Sequence, residues 1–343
     1  MKSNVTLKNI ADELGISTMT VSRAINNKAN VDEQTRKQVL KKARVMGYSP
    51  NRIARSLVNR KTQTIGVVLP EISHSFFPDV VMGIEEAAYH KKYQLFLTNS
   101  VEDHEREKQA IETLRSHRVD GLLISCAQTA EDSSYYKELV KTGLPVVFFD
   151  RSVENIGASC VVIDDVESSY KVTAHLINSG YRKIGHLSGP EKVSIGNKRM
   201  KGFKKALADH GLEFKESRVV ESGFLKTGGY KAMKELLSLP AENRPDAVVS
   251  VNDPVAYGAI QAVREADLSI PEDIAITGFT DDAMAPLVDP PLTTIFQDGY
   301  QIGLRAAQKL ISVIEKKDFK IETIYIDTSL VVRSSCGSSV INA

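Results

Sequence analysis

The sequence predicts an all-α helix-turn-helix head with a hinge helix, joined to a two-lobed α/β body of doubly wound parallel sheets. Apolar residues recur at helical spacing over roughly the first 46 residues. From Ile65 onward, apolar strand-like runs alternate with helix-like segments. Charge divides along the same line. Residues 1–60 carry 12 Lys and Arg against 4 Asp and Glu, and the remainder carries 32 against 39. A basic head on an acidic body is the electrostatic footprint of nucleic-acid binding by the head. A chain of 343 residues has room for two or three domains.

The head opens with two short helices joined at Gly15. Ile10, Ala11 and Leu14 share one helical face, and Gly15 tolerates the positive φ that reverses the chain. Ser17 is placed to cap the next helix, in which Val21 and Ile25 face inward. Thr18, Met19, Thr20, Ser22, Arg23 and Asn26 are left on the outer face. That face is short, polar and carries one Arg, which suits a helix entering the major groove. An ordinary helical hairpin would have the same spacing, so the basic charge of this stretch decides between them. A third helix opens at Val31-Asp32-Glu33, carries Val39, Ala43 and Met46 on its inner face, and ends at Gly47-Tyr48.

Ser49-Pro-Asn-Arg-Ile-Ala-Arg-Ser-Leu-Val58 reads as a capped helix start with Pro at the first helical position. At about eight residues it is too short to fold alone in water. It is expected to fold only against a partner, and a polar linker follows. The expected divisions are 1–48, 49–61 and 62–343. Within the body, one lobe is expected at 62–162 plus 293–322 and the other at 163–292 plus 323–335.

The strand-like runs are Ile65–Leu69, Leu95–Leu97, Leu122–Ile124, Val146–Phe149, Val161–Ile163, Ile184–Leu187, Ala247–Val251 and Ile274–Phe279. Helix-like segments such as Pro78–His90, Glu105–His117 and Ser168–Ser179 separate most of them. The βαβαβ order occurs twice, on either side of about Asp164, which gives two lobes and a cleft. Ligands in such folds bind beyond the carboxyl ends of the strands.

Enzyme signatures are missing. There is no phosphate-binding Gly-rich loop, no His-Glu-x-x-His and no Gly-x-Ser-x-Gly. No catalytic residue, metal site or cofactor is expected. Asp164-Asp165 reads as a turn or helix cap rather than a metal pair. Cys126, Cys160 and Cys336 are too scattered for a disulfide framework, and Cys126 and Cys160 are expected to be buried. The start has no apolar signal-peptide core, and no uncharged apolar stretch reaches membrane-spanning length, so a cytoplasmic protein is expected.

Polar and aromatic residues collect instead at the predicted strand ends: Phe76-Phe77, Asp150-Arg151, Arg199, Phe224, Asn252-Asp253 and Thr280-Asp281-Asp282. Asp and Asn suit vicinal hydroxyls, Phe covers an apolar face, and Arg clamps a carboxylate or hydroxyls. Singly, each is as well explained as a loop cap or core aromatic. Together they mark a small-molecule cleft.

In this order of parts the chain resembles the lactose-repressor-type (LacI/GalR) family of transcriptional regulators over nearly its whole length. The resemblance rests on Leu7-x-x-Ile-Ala-x-x-Leu-Gly-Ile-Ser-x-x-Thr-Val-Ser-Arg-Ala-Ile-Asn26 and Gly47-Tyr-Ser-Pro-Asn-Arg-Ile-Ala-Arg-Ser-Leu57. Val119-Asp-Gly-Leu-Leu, Gly185-His-Leu-Ser-Gly-Pro190, Arg199-x-x-Gly-Phe203, Asn252-Asp253, Gly278-Phe279 and Pro291-Leu-Thr-Thr-Ile295 extend it.

The resemblance implies a homodimer on a near-palindromic operator and a body like the periplasmic sugar-binding proteins. It makes Thr18, Met19 and Arg23 the base readers, with Thr6, Ser17, Thr20, Ser22 and Asn26 on phosphates. Asn51, Ala54, Arg55 and Leu57 become hinge contacts, Leu57 wedging the central base step. It places Phe76, Phe77, Asp150, Arg199, Phe224, Asn252, Asp253 and Asp281 around a cleft with Gln297 nearby. Thr280 departs from the Asp that many relatives carry there. Val193 and Ile195 stand where purine-binding relatives are polar, which favours a sugar or sugar acid as effector over a nucleobase. The chain lacks a C-terminal leucine-heptad helix, so a dimer is expected rather than a tetramer. The implied function is an effector-controlled repressor and not an enzyme.

Overall fold

The computed structural model describes residues 5–48, 61–73, 76–128, 133–153, 155–317 and 319–337. The chain divides into two compact units, 1–62 and 63–343. Asn51, Ala54, Arg55 and Leu57 of the expected hinge lie outside the described residues.

Among the described residues, three helices build the first unit: α1 (Leu7–Leu14), α2 (Thr18–Ile25) and α3 (Glu33–Val45). Each starts at a side-chain cap. Thr6 Oγ1 accepts from the Asn9 amide at 3.3 Å, and the Asn9 side chain accepts from the Thr6 amide at 2.9 Å. Ser17 Oγ accepts from the Thr20 amide at 3.1 Å, and Asp32 accepts from Thr35 at 2.9 Å. A cap of this kind is worth about 1 kcal/mol. Gly15 closes α1 at φ 63°, where a residue with Cβ would be strained. Ile10, Ala11, Val21, Ala24, Val39 and Ala43 form the core, with Leu14, Ile25 and Met46 packed around it.

In the second unit the chain first runs β1 (Thr64–Leu69), α4 (Phe76–His90), β2 (Gln94–Asn99), α5 (His104–Ser116) and β3 (Gly121–Ile124). It continues through α6 (Ser134–Lys141), β4 (Val146–Phe149) and β5 (Ser159–Ile163). The chain then crosses to α7 (Asp165–Asn178), β6 (Ile184–Ser188), α8 (Ser194–Asp209), β7 (Val219–Glu221) and α9 (Lys226–Leu237). β8 (Ala247–Ser250), α10 (Asp253–Glu265) and β9 (Ala275–Thr277) complete this second lobe. The last segment is β10 (Thr294–Gln297), α11 (Gly299–Ile314), β11 (Thr323–Ile326) and β12 (Thr328–Val331).

The first sheet is parallel throughout, in the order β11-β5-β4-β3-β1-β2. The second, β7-β6-β8-β9, is also parallel. Most inner strands are buried at every position, which is why they read as continuous apolar runs rather than alternation. Helices α4 and α11 pack against each other at close range. A Cβ on Gly83 would strike the Tyr300 carbonyl, and one on Gly303 would strike that of Val80.

Two features depart from the expectation. β10 and β12 pair antiparallel to each other, because they are crossing strands that belong to neither lobe's parallel sheet. β11 pairs with β5, so residues 323–326 belong to the first lobe and not the second. Its half-buried alternation is that of an edge strand, and the chain crosses back only at β12. Cys126 is buried as expected, whereas Cys160 on β5 is partly exposed. No described helix is long and apolar enough to cross a membrane.

Candidate functional site

The burial pattern of the head separates packing from reading. Val21 and Ala24 of α2 are buried, while Thr18, Met19, Arg23 and Asn26 are exposed. Ser17 and Thr20 bond to each other at 2.8 Å, and Asn26 closes α2 by donating to the Ser22 carbonyl at 2.8 Å. The helix is therefore fixed at both ends, and Thr18, Met19 and Arg23 project between them. Thr6 lies at the start of α1 with its hydroxyl at the cap.

The cleft lies beyond the carboxyl ends of the strands, and its polar side chains bond mainly to one another. Asp150 follows β4 at φ 57° and accepts from Gln297 Nε2 at 3.1 Å. The next residue, Arg151, is 3% exposed and grips both oxygens of Glu102 at 2.6 and 2.8 Å. Burial opposes its charge, but Glu102 outweighs that and holds the guanidinium firmly protonated. Its face stacks on the ring of Phe224, 4.1 Å away in the second lobe. The Ser152 amide adds a second link between the lobes, donating to Ser194 Oγ at 3.2 Å.

On the other side of the cleft, Arg199 donates to Asp165 at 2.8 Å and to the Val251 carbonyl at 2.5 Å, and it stacks on Phe279 at 3.6 Å. Burial pushes the Asp165 carboxyl up to about 6, against the pull of Arg199. Asn252 caps α10 by accepting from Val255, and it donates to the Phe224 carbonyl at 2.9 Å. Asp253 is fully buried, with Thr294 Oγ1 on one oxygen at 2.7 Å and the Asp282 amide on the other at 2.9 Å. Burial pushes its carboxyl up to about 7. Asp281 accepts from Arg333 at 2.7 Å. Phe76 and Phe77 open α4, both buried and edge to face at 5.1 Å.

The structure thus brings Asp150, Gln297, Phe224 and Asn252 into one connected group. Arg199, Asn252 and Asp253 each have partners within the chain. Two donors of Arg199 are engaged by Asp165 and Val251, Asn252 is a helix cap, and both oxygens of Asp253 are held by the chain. Ile195 is part of the second-lobe core, so its apolar character says little about the effector; Val193 both joins that core and lines a cavity at the cleft. Glu102, which was not singled out from sequence, completes the arrangement by pairing with Arg151, and Asp165, read from sequence only as a turn or cap residue, pairs with Arg199. Asp-Arg at the end of an apolar strand was the available signal, because two adjacent charges there need partners. Among the described residues no group of His, Cys, Asp and Glu is arranged to hold a metal ion.

A helix-turn-helix unit followed by a two-lobed body with a polar cleft defines a ligand-responsive DNA-binding regulator. Residues 6–51 match the model of the bacterial regulatory proteins of the lacI family, and residues 62–334 match that of the periplasmic binding proteins and sugar binding domain of the LacI family. The chain belongs to the LacI family and is a DNA-binding transcriptional repressor with a ligand-binding domain. It is 36% identical to the HTH-type transcriptional repressor PurR of Mannheimia succiniciproducens, over 96% of this chain and 98% of that protein. It is 32% identical to catabolite control protein A of Priestia megaterium, over 96% of each chain. The lac repressor dimer bound to operator and an anti-inducer matches with a TM-score of 0.85 at 25% identity, covering 97% of this chain and 99% of that one. The complex of transcriptional regulator CelR with cellobiose matches at 0.74 and 28%, covering 97% and 100%. The named relatives are regulators, which agrees with the empty search for enzyme signatures.

Proposed function

We propose that this repressor is a cytoplasmic homodimer that grips a near-palindromic operator, and that a sugar or sugar acid in the interlobe cleft sets the grip. The observation that carries the effector reading is the connected group of Asp150, Gln297 and Phe224 at the strand ends, a polar set beside an aromatic face. Val193, apolar at the cleft, disfavours a nucleobase. The cellobiose complex of one structural neighbour and the bound ribose of another support a carbohydrate. In the head, Thr18, Met19 and Arg23 read bases, Arg23 pairing with guanine, while Thr6, Ser17, Thr20, Ser22 and Asn26 hold phosphates.

Exposed apolar side chains supply the dimer contact. Phe96 and Leu97 stand out on the edge strand β2, and Met284 and Leu287 on the second lobe. A single chain leaves these in water, and pairing removes them from it. Effector binding then shifts the population between two arrangements of the lobes, to the extent that it binds one more tightly.

Thermal-shift screening of the full chain with neutral sugars and sugar acids tests the reading. A member of the panel should raise Tm, and Asp150→Asn should abolish the effect. A ligand that raises Tm equally in parent and Asp150→Asn would move the site elsewhere.

A further inference from the structure

We propose that the turn at residues 100–103, which follows the edge strand β2, relays the state of the interlobe contact to that strand, with Glu102 as the positioning residue between them. The inference rests on the cleft and dimer readings above and deepens them by naming a route from one to the other. Glu102 is 5% exposed. Its carboxylate accepts from both terminal nitrogens of Arg151 at 2.6 and 2.8 Å and from the Gln128 amide at 2.9 Å. Both of these partners reach the same turn of the second lobe. The Arg151 guanidinium stacks on Phe224 at 4.1 Å. The side-chain amide of Gln128 lies against Gly223, 3.2 Å from where a Cβ there would stand. The Phe224 carbonyl in turn accepts from Asn252 at 2.9 Å. One first-lobe carboxylate therefore holds both residues that meet Gly223-Phe224.

The backbone of the same residue is tied to β2. The Ser100 amide donates to the Leu69 carbonyl at 2.9 Å, and the Glu102 amide donates to that of Pro70 at 2.7 Å. Val101 and Glu102 both have positive φ, 53° and 58°. Residues with side chains are strained there, a branched Val above all, and two in succession persist only where the surroundings hold them. The buried, charge-assisted fork to Arg151 is such a hold. On the strand that this turn follows, Phe96 and Leu97 stand exposed as the proposed dimer contact. Moving Gly223-Phe224 away from the first lobe frees Arg151, lets the turn relax and shifts the end of β2. An effector bound against Phe224 is thereby felt where two chains pair.

The test is a double-mutant cycle on the full-length chain with Glu102→Gln, Phe224→Leu and both. Glu102→Gln keeps the shape of the side chain and gives up the charged fork, and Phe224→Leu removes the ring face in the second lobe. The first readout is hydrogen exchange at the Ser100 and Glu102 amides, with β3 as the reference within the same lobe. Phe224→Leu should speed exchange at these two amides at least about threefold in the parent background, leave β3 unchanged, and add nothing in Glu102→Gln. Glu102→Gln/Arg151→Met strands no buried charge, serves as a second background, and should be equally silent to Phe224→Leu. No change at the two amides, or the same change in all three backgrounds, overturns the relay. The second readout is the dimer dissociation constant by sedimentation. Phe224→Leu should weaken pairing at least about threefold in the parent and not in Glu102→Gln. A dimeric parent whose constant ignores Phe224→Leu overturns the link to pairing. A parent that stays monomeric overturns the dimer reading instead, and the exchange result still decides the relay. No sugar enters either measurement, so failure of the effector reading shows separately, in the thermal-shift screen.

Discussion

The outer face of α2 and the interlobe cleft are both candidate binding surfaces, and they are built in opposite ways. On α2 the functional side chains are exposed and the caps at both ends of the helix keep them in place. In the cleft most of the polar side chains are buried, and several are already bonded to another part of the chain. The difference teaches where each site keeps its precision. The head is a rigid scaffold of three capped helices with freely presented readers. The lobes meet at the cleft where Arg151 stacks on Phe224 and the Ser152 amide bonds Ser194, so the proposed effector would bind beside contacts that join them. That arrangement suits a site whose occupancy must be felt elsewhere in the molecule.

The largest test of this contrast is Arg151→Met. It leaves the buried Glu102 without its guanidinium partner, and should cost about 3–5 kcal/mol in urea unfolding of the body. Adding Glu102→Gln should recover much of that loss, because the stranded charge is gone; equal instability of the double variant would contradict the pairing. Next is Arg23→Ala on the exposed face. It should weaken specific DNA binding by about 1–3 kcal/mol per half-site and flatten the preference at one base, measured by fluorescence anisotropy with matched and scrambled duplexes. The unfolding midpoint should not move, and a drop would show that Arg23 packs rather than reads.

A smaller effect comes from pH. Asp253 keeps its proton in the folded chain up to about pH 7, while in the unfolded chain it ionises near 3.8. Its contribution to stability is therefore full below about pH 4 and is lost as pH rises through about 7. Asp253→Asn mimics the protonated form, since Thr294 can turn its hydroxyl to accept. Its stability relative to the parent should rise by on the order of 2 kcal/mol from pH 5 to pH 8. A constant difference across that range would place the ionisation elsewhere. The smallest is Ser17→Ala, which removes the α2 cap and should cost the head about 1 kcal/mol in thermal unfolding, with Thr18→Ala as the near-neutral comparison.

The same contrast governs what could be read in the sequence. The head was legible because its determinants are local: Thr6 with Asn9, Ser17 with Thr20 and Asp32 with Thr35 act within four residues. The alternating lobes were legible because buried parallel strands are continuous apolar runs. The cleft residues were legible as types at strand ends, but their pairings were not. Arg199 meets Asp165 across 34 positions, Arg151 meets Glu102 across 49, and Gln297 meets Asp150 across 147. Nothing in local spacing marks Arg199 as the partner of Asp165, whereas Asn252, two residues before Pro254, carries the local signature of a helix cap. The lobe of β11 was misplaced for a related reason, since its partner β5 lies far back in the chain.

The proposed repression turns on a paired, base-reading head. Selection of duplexes from a random pool by the full-length chain tests this directly. The enriched sequences should converge on an inverted repeat, with matching half-sites about a helical turn apart from centre to centre. Enrichment of a single unrepeated motif, or of no sequence at all, would contradict the dimeric, sequence-specific repressor described for this chain.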